Sequence, residues 1–327
     1  MKPAALSRRG TVVVALALAA ALTGFLVWSH RQPRYEGRSA GYWVGQLLRD
    51  QPKARRALRA IGPAAVPALA ATLKRRSWFW SQLEAWRAQM PRVIARRLPS
   101  RAMDELLQAR AIDVLHEFGA AAAPAVPALL TVDPSFEDAF GLGSAGLAQA
   151  TLTQIGPAGI PYFIRALSSP NPRIRWKAAT YLGHLGREAG AATLALARTL
   201  NDSNSGVRNT AVVALAEIGP QARAAVPSLH KALQRKDDSF RLPVIQALWR
   251  ITRDSEDTVP ILVTILTNQS NPNRAGAAIV LGEMGPAAKS AVPALTRVLG
   301  EEFSYTRVKS EEALRQINRG SDGVGGN

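Results

Sequence analysis

The side chains that most often carry enzyme chemistry are few in this 327-residue chain, and they are not clustered along it. Cysteine is absent, and the four histidines, His30, His116, His184 and His230, stand far apart. These counts exclude thiol nucleophiles, cysteine-bound metals and local histidine ligand sets. No P-loop, nucleophile elbow or H-E-x-x-H motif occurs. The sequence therefore predicts no catalytic residue, no cofactor-binding residue and no metal ligand.

One glycine motif has the spacing of a dinucleotide fingerprint, since Gly141, Gly143 and Gly146 fit G-x-G-x-x-G. In dinucleotide-binding folds this motif follows a buried β-strand and opens the helix of a βαβ unit. The preceding PSFEDAF is neither apolar nor alternating. We interpret these glycines as a turn that leads into a helix.

Basic side chains at a fixed interval point to recognition of another molecule. They recur every 33 residues, with Thr264 at the one interrupted position: Arg165, Arg198, Lys231 and Arg297. Arginine pairs with carboxylates through two parallel hydrogen bonds, so this row is a candidate binding strip for an acidic partner segment. The alternative is a set of solvated residues balanced by nearby acids, because residues 104–327 hold 22 basic and 21 acidic side chains.

The same 33-residue interval places these cations on helices. One column of leucines comprises Leu182, Leu215, Leu248, Leu281 and Leu314, and three residues later stand Leu185, Ile218, Ile251, Met284 and Ile317. Residues at i and i+3 share one face of a helix. The next position of the repeat holds Gly186, Gly219 and Gly285, and glycine is the residue that most often ends a helix in a left-handed conformation. Thr252 is the exception at this position.

A second apolar pattern follows the end of the first helix in three of these repeats. It begins with Pro227, Pro260 or Pro293 in the first turn of a helix and continues two residues later with Leu229, Leu262 or Leu295. Each repeat is therefore predicted to be a helical hairpin with one apolar stripe per helix.

Arginine forms a further column of the repeat, at Arg175, Arg208, Arg241, Arg274 and Arg307. A polar residue on every repeat is typical of a stacking role. We interpret the column as structural. Asp202, Asp237 and Asp238 lie a few residues before Arg208 and Arg241 and are the candidate acceptors for these two arginines.

The arginine column, the Leu-x-x-Ile-Gly-Pro turns and the Val-Pro-x-Leu openings resemble HEAT repeats of the short PBS-lyase HEAT-like type, over residues 53–317. This resemblance implies an all-α, armadillo-type α-α superhelix, a solenoid of about seven hairpins plus a partial eighth. Neighbouring hairpins stack because a single hairpin cannot bury its own stripe. Similar proteins include many binding scaffolds and a few enzymes, so the resemblance specifies fold better than function.

Residues 77–103 interrupt the repeats with a segment rich in tryptophan and arginine. The candidate membrane-surface contacts in and beside it are Trp78, Trp80, Trp86, Arg75, Arg76 and Arg87. Aromatic and basic side chains together suit an amphipathic helix lying on anionic lipid. The alternative is an irregular helical insertion that packs its aromatic rings between repeats.

The N-terminal segment is apolar, with no charge from Gly10 to Ser29. Residues 11–28 would form a helix of about 27 Å, close to the thickness of the bilayer core. A cleavable signal peptide is the alternative, but its apolar region is usually shorter. We expect residues 1–30 to be an uncleaved signal anchor, a single transmembrane helix preceding the solenoid.

The remaining assignments follow from that anchor. With residues 1–9 in the cytoplasm, the protein would cross a bacterial inner membrane once and hold its repeat domain outside the cytoplasm. Residues 31–52 would form a basic juxtamembrane linker with a short helix, and residues 318–327 a disordered tail.

The predicted function is a membrane-anchored, non-catalytic scaffold that binds a protein or peptide partner and contacts the lipid bilayer through residues 11–28. One alternative is a nucleic-acid-binding HEAT-like protein, since residues 1–103 hold 19 basic and 3 acidic side chains. Lipid headgroups explain charge beside a membrane span more simply, which disfavours nucleic acid. The other alternative, an enzyme similar to phycobilin lyases, is disfavoured by the missing cysteine and the lack of a convergent acid/base set.

Overall fold

The computed structural model describes residues 34–73, 86, 89, 101–132, 144–234, 238–302 and 304–319. The chain divides into two compact units, Met1–Ile155 and Gly156–Asn327. Within the described ranges both units are helical, apart from two short strands near the start of the first unit.

The first unit opens with a β-hairpin that the sequence analysis did not predict. Strands β1 (Arg34–Tyr35) and β2 (Arg38–Ser39) pair antiparallel around Glu36 and Gly37, whose φ angles are 48° and 70°. Two successive positive φ angles are the geometry of the tight turn that best matches the twist of paired strands. The hairpin leads directly into the first helix.

The helices of the first unit are α1 (Ala40–Gln46), α2 (Gln51–Ile61), α3 (Val66–Thr72), α4 (Arg101–Glu117), α5 (Val126–Leu129) and α6 (Ser144–Ile155). Helix α2 begins at a capping residue, because the Asp50 carboxylate accepts a hydrogen bond from the backbone N–H of Lys53 at 3.1 Å. Helix α4 packs against α3 and α6. This unit therefore already shows the stacking of helices from successive hairpins.

The second unit continues the pattern with a regular period. Its helices are α7 (Ile160–Ala166), α8 (Pro172–Leu185), α9 (Thr193–Thr199), α10 (Ser205–Ile218), α11 (Val226–Leu233), α12 (Asp238–Thr252), α13 (Ser255–Thr267), α14 (Arg274–Met284), α15 (Val292–Leu299) and α16 (Tyr305–Arg319). The first helices of the hairpins, α8, α10, α12, α14 and α16, pack against one another in chain order. The second helices α7, α9, α11, α13 and α15 each contact the first helix that follows, and all of them except α13 have seven or eight residues.

The core of the second unit is the set of apolar columns read from the sequence. Leu182, Leu215, Leu248 and Leu281 are at most 2% exposed, and the second-helix column Leu229, Leu262 and Leu295 is fully buried. Small residues allow the first helices to approach closely: a Cβ atom on Gly183 would lie 3.2 Å from the Cα atom of Ala214. The predicted stacking of helical hairpins is thus confirmed.

In the described hairpins, except that of α12 and α13, the turn between the two helices is a 3-10 helix that begins at a glycine. It has seven residues at Gly186–Ala192, Gly219–Ala225 and Gly285–Ala291, but four at Gly62–Ala65 and Gly156–Gly159. A 3-10 helix has three residues per turn, so the shorter versions lack one whole turn. Losing a whole turn preserves the direction in which the second helix leaves, which explains why the repeat tolerates this length difference.

The predicted transmembrane helix, and with it the single-pass inner-membrane localisation, is wrong. Among the described residues no helix is both long and apolar enough to cross a membrane. The longest of these helices, α4, has 17 residues and carries charged side chains, and the described helices place their apolar stripes against neighbouring helices. The segment predicted to span the bilayer, residues 11–28, lies outside the described residues.

Candidate partner-binding surface

The four basic residues predicted to bind a partner occupy equivalent positions on second helices of the second unit. Arg165 lies on α7, Arg198 on α9, Lys231 on α11 and Arg297 on α15. All four side chains are exposed. Two residues before each of them stands a buried residue, such as Leu196 or Leu229, that fixes the helix face. The 33-residue period thus presents one cation per second helix; we call this set of four the cationic row.

No member of the cationic row makes an ion pair with another described residue. Acidic residues are also scarce along the five second helices, where only Glu256 and Asp257 occur, in the first turn of α13. That turn is about 10 Å along the helix axis from Thr264, the interrupted position of the row. The alternative that nearby acids balance these cations therefore finds no support in the described contacts.

An exposed row of mostly proline residues runs beside the cations. It consists of Pro161, Leu194, Pro227, Pro260 and Pro293, each four residues before a position of the cationic row or before Thr264. Residues four apart lie on the same side of a helix, about 6 Å apart along its axis. Leu194 is 60% exposed, an unusual setting for a leucine in a packed unit. We call this set the apolar row.

The arginine column of the first helices is engaged in the structure, in contrast to the cationic row. Arg175 forms two hydrogen bonds to the Asp202 carboxylate, at 2.6 and 2.7 Å, and bonds the carbonyl of Ser169 at 2.8 Å. Hydrogen bonding from Arg175 lowers the pKa of Asp202 below its usual value. Arg274 likewise bonds the Glu301 carboxylate at 2.6 Å. These arginines tie the loops of successive hairpins together.

The structure corrects where the acids of this column come from. Asp202 was expected to serve Arg208 of its own loop, but its carboxylate binds Arg175, 27 residues earlier. Arg208 instead donates to the backbone carbonyls of Asp202 and Ser203 at 3.0 and 3.2 Å. The loop that contains Asp202 therefore binds two arginines. The Asp202 side chain accepts hydrogen bonds from Arg175 of one hairpin, and the loop carbonyl groups accept from Arg208 of the next.

Of the predicted membrane-surface residues, the structure describes only Trp86, which is 62% exposed. Trp78, Trp80, Arg75, Arg76 and Arg87 lie outside the described residues. In the glycine motif, Gly146 lies in the first turn of α6, while Gly141 and Gly143 are not described. No group of histidine and acidic side chains in the described part of the chain could hold a metal ion.

Sequence reasoning missed a cleft of about 420 Å³ at the ends of the first helices α10, α12 and α14. Its lining includes the carboxylates of Glu217 and Glu283, and Arg250 pairs with Glu217 at 2.6 Å. The signal for this irregular region was Thr252 in the glycine column. Because two carboxylates lie among its arginines, the cleft is a weaker candidate for an acidic ligand than the cationic row.

A family model described as HEAT repeats matches residues 145–216, 160–249, 193–282 and 226–315, which together span more than half of the chain. Among curated proteins, none matches by sequence. Similar folds occur among solved structures. An engineered protein is 18% identical with a TM-score of 0.42, and the match covers 85% of this chain and 78% of that one.

Two natural proteins are similar at the same level. The complex of CpcE and CpcF of phycocyanin lyase from Nostoc sp. PCC7120 is 18% identical with a TM-score of 0.38, covering 78% of this chain and 94% of that one. Kap121p is 14% identical with a TM-score of 0.48, and the match covers 93% of this chain but 37% of that one. At these identities the similarity is one of fold alone.

Proposed function

This chain belongs to the HEAT-repeat family, and from that premise we propose that it is a non-catalytic scaffold whose second helices bind an acidic segment of a protein partner. The binding surface consists of the cationic row and the apolar row of the second unit. The positive charge comes from the cationic row, which comprises Arg165, Arg198, Lys231 and Arg297. The partner supplies the carboxylates with which these side chains form ion pairs.

The supporting observation is the contrast between two sets of cations on the same repeats. The arginine column is paired within the molecule, as Arg175 is with Asp202. The cationic row is exposed and makes no ion pair with a described residue. A cation at the same position on four of the five second helices of the second unit creates a positive stripe, which attracts negative ligands and repels positive ones. A partner rich in aspartate and glutamate is the complement of that stripe.

Charge reversal of the row tests the proposal. The variant Arg198→Glu/Lys231→Glu should bind a fluorescent glutamate-rich peptide at least about tenfold more weakly than the unmodified full chain, because two attractive pairs become repulsive. Fluorescence anisotropy at near-physiological salt measures the affinity, and circular dichroism establishes that the variant is folded.

The matched control is Arg187→Glu/Lys289→Glu, which changes the net charge equally. Both residues are exposed, and both lie in 3-10 turns of the second unit. The control should retain the affinity for the peptide. Equal losses in the two variants would refute the proposal, because they would show a response to net charge rather than to the cationic row.

A further inference from the structure

We propose that the acidic segment binds as a polyproline II helix with an acidic residue at every third position. This inference rests on the proposed function and specifies the conformation and sequence spacing of the partner. It follows from the spacing of the cationic row, the distance between the two rows, and the interruption at Thr264.

The spacing of the cations is set by the stacking of the hairpins. Each cation lies on a different second helix, and α9 contacts α11 as α13 contacts α15. Packed helices lie about 8–10 Å apart, so neighbouring cations recur at about that interval. A polyproline II helix repeats every three residues and rises about 3.1 Å per residue, so its equivalent side chains recur every 9.3 Å or so. One turn of such a helix therefore matches one hairpin.

Other regular conformations fit this spacing less well. Side chains on one face of a β-strand recur about every 6.7 Å, which is shorter than the hairpin interval. One face of an α-helix repeats about every seven residues, or about 10.5 Å, which is longer than the hairpin interval, so its acidic residues would drift out of register along the row. The two rows on the surface are about 6 Å apart along each second helix, so an extended ligand that lies along the rows can contact both.

The apolar row supplies the second contact that such a ligand requires. Prolines and one leucine line the surface beside the cations, with Leu194 60% exposed. A polyproline II helix has three faces, so its acidic face can meet the cationic row while an adjacent face carrying proline or alanine packs on the apolar row. Such a segment also loses little conformational entropy on binding, because proline already restricts it.

The interruption of the row gives the ligand a defined register. Thr264 stands where the fourth cation would be, and its hydroxyl donates to the carbonyl of Pro260 at 2.9 Å. The ligand therefore gains nothing from an acid at that position. Arg165, Arg198 and Lys231 require three consecutive acidic positions, and Arg297 a further one after a gap.

Three fifteen-residue peptides of identical composition, with five each of glutamate, proline and alanine, test the register. In the first, glutamate occupies every third position; in the second, every other position over part of its length; in the third, the order is scrambled. The full chain should bind the first peptide at least about tenfold more tightly than the others. Circular dichroism of the peptides verifies that all three have comparable polyproline II content in solution.

A gain-of-function variant keeps the test independent of loss of folding. Thr264→Lys completes the row and should tighten binding of the first peptide about threefold, while leaving the scrambled peptide nearly unchanged. Thr264→Val is the control, since it removes the hydroxyl without adding charge. No difference between the lysine and valine variants would overturn the assigned register.

The outcomes separate this inference from the proposed function. Equal affinity for all three peptides, still lost in Arg198→Glu/Lys231→Glu, would overturn the polyproline II register and leave the acidic-segment surface standing. Absence of binding to all three would overturn both. Single-stranded DNA that binds more tightly than any peptide, and is lost in the same variant, would overturn both in favour of a nucleic-acid ligand.

Discussion

Glu117 joins two helices of the first unit through its ion pairs with two arginines. Its carboxylate on α4 accepts hydrogen bonds from Arg59 on α2, at 2.6 and 2.8 Å, and from Arg55 of the same helix. The hydrogen bond from Arg59 is the main cause that lowers the pKa of Glu117 from 4.5 to about 2, with Arg55 contributing further. The charged carboxylate is therefore bound more strongly in the folded protein than in the unfolded chain.

We predict that Glu117→Gln destabilises the protein by about 1–2 kcal/mol at pH 7. Because folding lowers the pKa of Glu117, this stabilisation is fully present above pH 4.5 and is lost as the pH falls towards about 2. The difference between the unmodified protein and the variant should therefore shrink over that range. Urea denaturation monitored at several pH values measures it.

The control is Glu36→Gln, which removes one partner of the exposed Glu36–Lys53 pair. Exposed pairs contribute less than about 1 kcal/mol, so this variant should differ little from the unmodified protein at any pH. A Glu117→Gln variant with the same acid sensitivity as the unmodified protein would show that Glu117 does not contribute to it.

The sequence predicted that the arginine column is structural, but not which acids it binds. Asp202 stands in a loop between two hairpins, six residues before Arg208 and 27 after Arg175. Separation along the chain favours the nearer arginine. Stacking of the hairpins instead brings Arg175 to the Asp202 carboxylate, and Arg208 bonds the backbone carbonyls. The pairing of arginines with acids therefore depends on packing geometry that the sequence does not reveal.

At the scale of elements, the glycines that end the first helices adopt a backbone conformation that other residues avoid. Gly186, Gly219 and Gly285 have φ angles of 54°, 68° and 58° with ψ angles of −128°, −138° and −136°. This differs from the left-handed helical conformation expected from the sequence, which asparagine also tolerates. Positive φ with strongly negative ψ places a Cβ atom against the backbone, so glycine is required more strictly than the pattern implied.

The irregular hairpin shows what happens without that glycine. Thr252 is β-branched and remains helical at the end of α12, while the positive φ, 57°, moves to Arg253. No 3-10 turn follows, and Asp254 instead caps a longer second helix, α13, by accepting from the backbone N–H of Glu256 at 2.9 Å. The sequence identified Thr252 as an exception. It did not reveal that the 3-10 turn would be replaced by an extension of the second helix by about one turn.

We predict that Gly285→Ala lowers the free energy of unfolding by about 1–3 kcal/mol, the cost of forcing a side-chain-bearing residue into this conformation. Apart from the adjacent backbone, no atom lies within 4 Å of the position of the added Cβ, so the cost reports local backbone strain rather than a clash with a packed neighbour. Gly300→Ala is the matched control, since Gly300 also follows a helix but has a φ of −78°. The control should be neutral or slightly stabilising in urea denaturation, and equal losses in both variants would contradict the explanation.

At the scale of the whole molecule, the sequence predicted the repeats well and the membrane anchor wrongly. The repeat period is a property of many residues at once, and the leucine column of the first helices became a buried face, as at Leu182, Leu215 and Leu281. The anchor rested on one property of one segment, its apolar length. The length and apolarity of one segment do not specify the surface against which it packs. An apolar residue repeated at the same position of successive hairpins does specify a face that neighbouring hairpins bury.

The charge of the molecule is unevenly distributed along the chain, and this leads to a prediction about how binding depends on salt concentration. Residues 1–103 hold 19 basic and 3 acidic side chains, while the cationic row contributes four cations farther along the chain. A polyanion such as duplex DNA should therefore bind at low salt mainly through the basic side chains of residues 1–103. Its affinity should fall steeply as salt is added, since each neutralised phosphate contributes about 0.9 to the slope of log affinity against log salt concentration.

Binding of the acidic peptide should be less sensitive to salt, with a slope of at most about four, because four cations form the row. Arg198→Glu/Lys231→Glu should weaken peptide binding at least about tenfold and leave duplex DNA binding nearly unchanged, because the two ligands use different parts of the chain. Parallel salt titrations of both ligands by fluorescence anisotropy measure the two slopes. If the variant lost both ligands together, one general electrostatic attraction would account for all binding, and the cationic row would have no specific role.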